Sequence, residues 1–422
     1  MSANVKLATP QGYYALDVDT VCNYLSGIKE VAQRLGGAPH EWNAEEVGDG
    51  NLNLVFIVRG VKGAVCAKQA LPYVRLVGES WPLPLSRAHF EHLALVEETK
   101  AAPQYLPELY HYDALMALTV MEFLSPHIIL RKGLVRGIQY PKMAEDLGKF
   151  LAHTLFKTSD LYLDAKTKKA KIADYLTNTA MCQISEDLIF DEPYFDAELN
   201  RHTSPQLDDI AAAFKQDTAL KLAVQEMKWK FQNNAEALLH GDLHTGSVMV
   251  TESDTRVIDP EFAFFGPIGF DVGAVLANMF MAYFSQEGHG QRSEYAEWIL
   301  EQIDALYKTF EAEFRALCQA RNEDQKGGDI YQPRLYIDAP VLKDEAVKAR
   351  LAAIWSDTLG FTGCKMIRRI LGLAHVEDFE SIEDADVRGS CERKALKFGR
   401  SLLIQRSDFK SLSDLLKTAR AS

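Results

Sequence analysis

His240-Gly241-Asp242-Leu243-His244-Thr245-Gly246-Ser247 decides the reading of this chain, together with Asp259-Pro260-Glu261, which begins seventeen residues after Asp242. Between them lies a short β-rich island, Ser247 to Asp259, with Val248-Met249-Val250 at one end and Arg256-Val257-Ile258 at the other. His240 and His244 invite a two-histidine metal site, but no third ligand lies in sequence reach and Asp242 would stay unexplained. Moving outward, Leu220 to Ala237 and Glu294 to Ala320 are long and helix-prone. So is Lys142 to Lys157, with Met143, Leu147, Phe150, Leu151, Thr154 and Leu155 on one face. Arg321 to Pro340, rich in Gly, Asp, Asn and Pro, reads as a surface loop. Lys166 to Lys171 (KTKKAK) reads as a solvated loop rather than a nucleic-acid site.

Upstream of Ser125-Pro126 the pattern changes. Leu52 to Arg59 is β-rich, Val61-Lys62-Gly63 signals a hairpin, and Ala64 to Gln69 alternates again. Ser86 to Thr99 has apolar residues at helical spacing, and two β-like stretches follow, Pro107 to Tyr112 and Ala117 to Phe123. Together they predict a small antiparallel sheet with one helix. Gly48-Asp49-Gly50-Asn51-Leu52-Asn53 leads into the first strand. Alone it is a hairpin turn, but such glycines also let backbone N–H groups approach phosphate oxygens. Lys68 lies on an otherwise apolar strand and needs a partner, because burying it unpaired is costly. Glu91, on the following helix, could supply one.

A turn over phosphates, a strand lysine, a helix glutamate, and then two aspartates flanking a hairpin follow the order of parts in protein kinases. In that order Asp242 orients an attacking hydroxyl and accepts its proton, while Asp259 holds the Mg²⁺ that bridges the phosphates. One position departs from the pattern. Five residues after the catalytic Asp an Asn is expected as second metal ligand, and this chain has Ser247. Glu261, two residues past Asp259, can supply the missing carboxylate.

The chain resembles the 5-methylthioribose kinases, within the small-molecule kinases that resemble aminoglycoside and choline phosphotransferases. The resemblance rests on Gly48–Phe56 (GDGNLNLVF), His240–Ser247, Val257–Gly273 (VIDPEFAFFGPIGFDVG) and Met366–Ile382 (MIRRILGLAHVEDFESI). It implies an α+β, bilobal protein-kinase-like fold with a small antiparallel-sheet N-lobe, 1–125, and a large, mostly helical C-lobe, 126–422. It further implies ATP and Mg²⁺ as cofactors, and phosphorylation of the anomeric hydroxyl of 5-methylthioribose in methionine salvage. Residue by residue, Asn51 and Lys68 would contact ATP, and Glu122-Phe123-Leu124 would be a hinge reading the adenine edge. Asp259, Pro260 and Glu261 would line the metal–phosphate site, with Asp259 and Glu261 on the metal. Asp242 would bind the sugar hydroxyl and act as base, and Arg368 and Arg369 would reach the sugar and the transferring phosphoryl group. Guanidinium forks suit the charge that spreads over equatorial phosphoryl oxygens. Adjacent residues on a helix point about 100° apart, however, so one of the two could face solvent. Asp271 is expected to brace the catalytic loop, with Phe262, Phe264 and Phe265 as core behind it. Two alternatives stay open: a kinase of the same fold for an aminoglycoside, choline or homoserine, and a nucleotide-binding pseudokinase. The double arginine speaks against a cationic acceptor, and the presence of Lys68, Asp242 and Asp259 speaks against the pseudokinase.

Composition sets the outer limits. With 422 residues, 47% hydrophobic and 25% charged, the chain has the make-up of a globular protein of two or three domains. Its 59 acidic and 46 basic residues give a net charge of −13, which argues against nucleic-acid and anionic-membrane partners. No run of about 18 apolar residues is apparent, and the first residues lack a signal-like pattern. The six scattered cysteines read as buried free thiols. A cytoplasmic homodimer is the expectation, the dimer being implied by the resemblance alone.

Overall fold

Strands β1 (Asn43–Glu46), β2 (Asn53–Arg59), β3 (Ala64–Ala70), β4 (Leu109–Asp113) and β5 (Leu118–Glu122) pair antiparallel in the order β1-β2-β3-β5-β4. They come from a computed structural model that describes residues 9–48, 52–75, 78–320, 328 and 340–422. Asn51 and most of the Arg321–Pro340 segment therefore lie outside the described residues, although Pro340 itself opens a helix rather than ending a loop. Period-two alternation sorts the sheet's faces. Phe56, Val58, Val65, Ala67, Leu118 and Val120 meet Val21, Leu25, Val31 and Leu35 in one core, carried by helices Val21–Ser26 and Lys29–Leu35. Burying each of the Phe, Val and Leu side chains among them contributes roughly 1.5–3 kcal/mol. At the β2–β3 hairpin a Cβ on Gly60 would lie 2.3 Å from the Leu35 carbonyl oxygen, so only glycine fits. Helix α1 (Arg87–Ala101) follows as expected.

The chain divides into two compact units. The first is Met1–Pro126 with Asn178–Met181 and Val257–Phe262; the second is His127–Thr177, Cys182–Arg256 and Ala263–Ser422. The segment carrying Asp259 and Glu261 thus clusters with the sheet, not with the hairpin it follows in sequence.

The second unit is mostly helical. Helices α2 (Met143–Lys157) and α5 (Ser293–Gln319) pack together, and α4 (Ile268–Ser285) packs on α6 (Pro340–Leu371), which packs on α7 (Ala385–Ile404); α3 is Thr218–Asn233. Glycine permits the α4–α6 crossing: a Cβ on Gly269 would stand 2.7 Å from Thr358 N, and one on Gly273 2.8 Å from Thr358 O. The β-rich island is real, with strands Val248–Val250 and Thr255–Val257. Phe264–Gly266 pairs antiparallel with Ala237–Leu239.

Three expectations need correction. Lys166 to Lys171 is not a loop but part of helix Ala165–Tyr175, because lysine is a good helix former and Asp164 caps the start by accepting the Thr167 N–H at 2.9 Å. Within it Lys168 is buried, paired to Asp160 and donating to the Glu236 carbonyl. Helix α4 is, by length and composition, apolar enough to cross a membrane, contrary to the reading of the sequence; 94% of it is buried inside the protein, which accounts for its apolarity as core. All six cysteines are free, but only Cys318, Cys364 and Cys391 are buried, the other three being half-buried.

Candidate active site

The alternation that turns Val65 and Ala67 to the core turns Lys68 to the opposite face of β3. There its Nζ donates to Glu91 Oε1 at 2.7 Å and to Asp259 Oδ1. Burial works against the charged amine, but Asp259, Glu91 and Glu261 outweigh it and hold the Lys68 pKa above its ordinary value. Burial pushes the Glu91 carboxyl up, against the pull of Lys68, and raises Glu261 as well, with Asp259 adding to both. Asp259 sits at φ +73°, a left-handed conformation that aspartate tolerates better than most side chains and that tends to concentrate at functional sites. Glu261 is 3% exposed and is pinned by Asn53 Nδ2 at 3.1 Å and Arg87 Nε at 3.3 Å. Arg87, wholly buried, also donates to the carbonyls of Leu71 and Leu52.

Carboxylate oxygens of Glu91, Asp259 and Glu261 lie within 4.8 Å of one another. Hard oxygen donors in such a cluster suit Mg²⁺. Three carboxylates face two cations, Lys68 and Arg87, which leaves a negative surplus for a metal. Pro260 is buried between the two acids. Glu122 ends β5, its N–H donating to the Glu108 carbonyl at 2.8 Å; Leu124 is buried, and Phe123 lies under the Arg59 guanidinium.

In the second unit a loop holds Asp242 by its backbone. Asp271 accepts the N–H groups of His240 and Gly241 at 2.7 and 3.1 Å, the bracing expected of it. His240 Nδ1 accepts the Asp242 N–H at 3.3 Å, and His244 Nδ1 accepts that of Gly246 at 2.9 Å. The two histidines therefore support the loop rather than a metal. With Nδ1 accepting, the proton of neutral His244 is on Nε2, 3.4 Å from Asp242 Oδ2. Burial holds His244 well below its ordinary pKa, reinforced by Arg131, Arg369 and Lys365, so it is neutral. Ser247 Oγ donates to the Asp242 carbonyl at 3.2 Å.

Around the Asp242 carboxylate stand Lys365 Nζ at 3.1 Å, Arg368 Nη2 at 3.6 Å and Arg369 Nη2 at 3.9 Å. All three are under 10% exposed. Burial alone would raise the pKa of Asp242; Lys365, His244, Arg368 and Arg369 reverse this and hold it well below the usual carboxylate range. Arg131 adds a fourth cation, its guanidinium 3.3 Å from Asp378 and bonded to Thr245 and Asn278.

The structure thus joins Lys68, Glu91, Asp259 and Glu261, and separately Asp242, Arg368 and Arg369. Neither arginine faces solvent, because both long side chains bend toward one carboxylate. Sequence reasoning missed Lys365, whose spacing of three and four from the arginine pair puts it on the same helix face. It also missed Arg131 and Arg87, whose carboxylate partners, Asp378 and Glu261, are remote in sequence and leave no local signal.

Comparison with known proteins places the chain in a family. Residues 43–308 match the phosphotransferase enzyme family (APH). The chain is 46% identical to methylthioribose kinase 1 of Oryza sativa subsp. japonica over 411 residues, 96% of this chain and 95% of that protein. It is 44% identical to the methylthioribose kinase of Escherichia coli (strain S88), covering 97% and 98%. Methylthioribose kinase 2 of the same rice shares 45% over 99% of this chain and 98% of its own length. Similarity of this depth from end to end means that the protein belongs to the methylthioribose kinase family of phosphotransferases.

Proposed function

We propose that the chain transfers the γ-phosphoryl group of ATP to the anomeric hydroxyl of 5-methylthioribose, giving 5-methylthioribose 1-phosphate and ADP in methionine salvage. The observation that carries this reading is the 44–46% identity to methylthioribose kinases over 96–99% of the chain. The buried cations at Asp242 agree with it: a cationic acceptor such as choline or an aminoglycoside would call for carboxylates there, and the chain has Lys365, Arg368 and Arg369.

Asp242, ionised at neutral pH, orients the acceptor hydroxyl and takes its proton. Its low pKa makes it a weak base, which suits a loose transition state in which little proton transfer is needed early. Arg368 and Arg369 bind the sugar and the charge developing on the phosphoryl oxygens. Lys68, fixed by Glu91, contacts the ATP phosphates; Asn51 contributes from the glycine turn, and the backbone of Glu122-Phe123-Leu124 reads adenine. Asp259 and Glu261, with Pro260 between them, would hold Mg²⁺, which neutralises phosphate charge. A homodimer is part of the same proposal, checked by analytical ultracentrifugation.

The test is an ATP-consumption assay with 5-methylthioribose beside ribose, choline, homoserine and an aminoglycoside, with products followed by ³¹P NMR. A 1-phosphate formed only from 5-methylthioribose is expected. Turnover of another acceptor with none of 5-methylthioribose would overturn the reading.

A further inference from the structure

The two oxygens of Asp242 are treated differently. Oδ1 is engaged by Lys365 Nζ at 3.1 Å, with Arg368 Nη2 at 3.6 Å. Oδ2 is approached only loosely, by His244 Nε2 at 3.4 Å and Arg369 Nη2 at 3.9 Å, beyond the span of a good charge-assisted hydrogen bond. We infer that Lys365 is a positioning residue for the transfer, its ammonium clamping Oδ1 so that Oδ2 is the oxygen that takes the acceptor's proton. The inference rests on the kinase reading given above.

Lys365 is built for one partner. It is 2% exposed, and its ammonium lies 4.4 Å from the centroid of the Phe270 ring, leaving Asp242 as its hydrogen-bonded carboxylate. A buried ammonium without such a partner would be strongly disfavoured. The step balances simply. The acceptor O–H bond breaks as its oxygen bonds to the γ-phosphorus, the proton goes to Oδ2, and the bridging O–P bond breaks with its electron pair leaving on ADP.

The clamp also has a pH limit. The titratable groups facing Lys365 are Asp242 and His244 from the loop, Asp271 from α4, and Cys364, Arg368 and Arg369 from its own helix. Burial pulls its pKa down, against Asp242 and with the help of both arginines, to about 8. The ammonium is therefore present below that pH and lost as pH rises through it.

Lys365→Met and Lys365→Arg are compared with the unaltered protein in kcat, in KM for ATP and in pH profile from roughly pH 6.5 to 9.5. Lys365→Met is expected to lose about 100-fold in kcat, the cost of a misplaced catalytic group, with KM for ATP changed less than about twofold. Lys365→Arg, charged at every accessible pH, should recover much of the rate and lose the alkaline limb that the unaltered protein shows near pH 8. Near-normal kcat in Lys365→Met, or one alkaline limb shared by the unaltered protein and Lys365→Arg, overturns the inference. If Lys365→Met does not fold, as thermal melting would reveal, the Lys365→Arg profile alone decides. Should the unaltered protein fail to phosphorylate 5-methylthioribose, it is the functional reading that fails. The Lys365 comparison is then made on acceptor-independent ATP hydrolysis, in which water takes the hydroxyl's place.

Discussion

The two charge clusters are near mirror images. In the first unit Glu91, Asp259 and Glu261 surround Lys68 and Arg87, and negative charge is in surplus. In the second, Lys365, Arg368 and Arg369 surround Asp242, and positive charge is in surplus. Buried charge is expensive, so a surplus of either sign calls for a ligand that offsets it. A divalent cation matches the first and a phosphoryl group the second. The net charge of −13 predicts neither, because it sums over the surface and says nothing about a pocket.

Removing the charge at the centre of the positive cluster is the harshest way to break this comparison. Asp242→Asn keeps the shape but loses the proton acceptor, and leaves three buried cations without their carboxylate. A loss of about 10³-fold in kcat is expected, with ATP affinity by isothermal titration changed less than about twofold. Retained turnover would take Asp242 out of its role. The matching change on the negative side is Glu261→Gln, which removes the surplus charge there. It should raise the Mg²⁺ concentration for half-maximal activity roughly 10–100-fold, with part of the rate recovered at high Mg²⁺. Chelation by EDTA should abolish activity in the unaltered protein. An unchanged Mg²⁺ response in Glu261→Gln would remove that residue from the metal site.

Much of this is legible in the sequence, for a physical reason. Strands and helices announce themselves by period, and the pairing of Lys68 with Glu91 followed from a lysine on an apolar strand that needed a partner. The limits were equally physical. The charge of a lysine run suggests a loop, but lysine's helix propensity and the Asp164 cap favour helix. Helix α4 does not read as an apolar stretch because glycines, Asp271 and Asn278 interrupt it, yet 17 of its 18 residues are buried. Lys365 carries no such signal, because the 100° between adjacent helix positions separates the two arginines and says nothing of a lysine one turn earlier. Long side chains on a buried face converge across that angle, and only the packing of α6 against α4 shows it.

The arginines sharpen the comparison less drastically. Arg368→Ala or Arg369→Ala removes one cation of a group, so the others keep Asp242 compensated. A loss of about 10–100-fold in kcat/KM for the sugar is expected in at least one variant, the worth of one or two charge-assisted hydrogen bonds, with nucleotide binding unchanged. Two near-normal variants would mean that Lys365 and Arg131 supply the positive surplus by themselves.

The smallest effect comes from a buried carboxyl outside both clusters, which serves as their reference. Glu392, on α7, is fully buried, and burial pushes its pKa up to about 7, against Thr203 and Arg388. Because the folded form holds this proton more tightly than the unfolded chain does, its effect on stability reverses that of a salt-bridged carboxylate. The group costs nothing near pH 4, and its penalty grows as pH rises from the unfolded value of 4.5 to about 7, above which it is fully present. Glu392→Gln removes the titration while nearly keeping the shape. Its melting temperature relative to the unaltered protein should therefore rise by about 2 °C between roughly pH 5 and pH 8. The slope is the informative quantity, because any packing change introduced by Gln shifts both ends of the profile alike. A flat difference would mean that Glu392 ionises at little cost, and that buried carboxylates in this fold need no cluster of cations to be tolerated. That result would weaken the argument that each charge surplus marks a ligand.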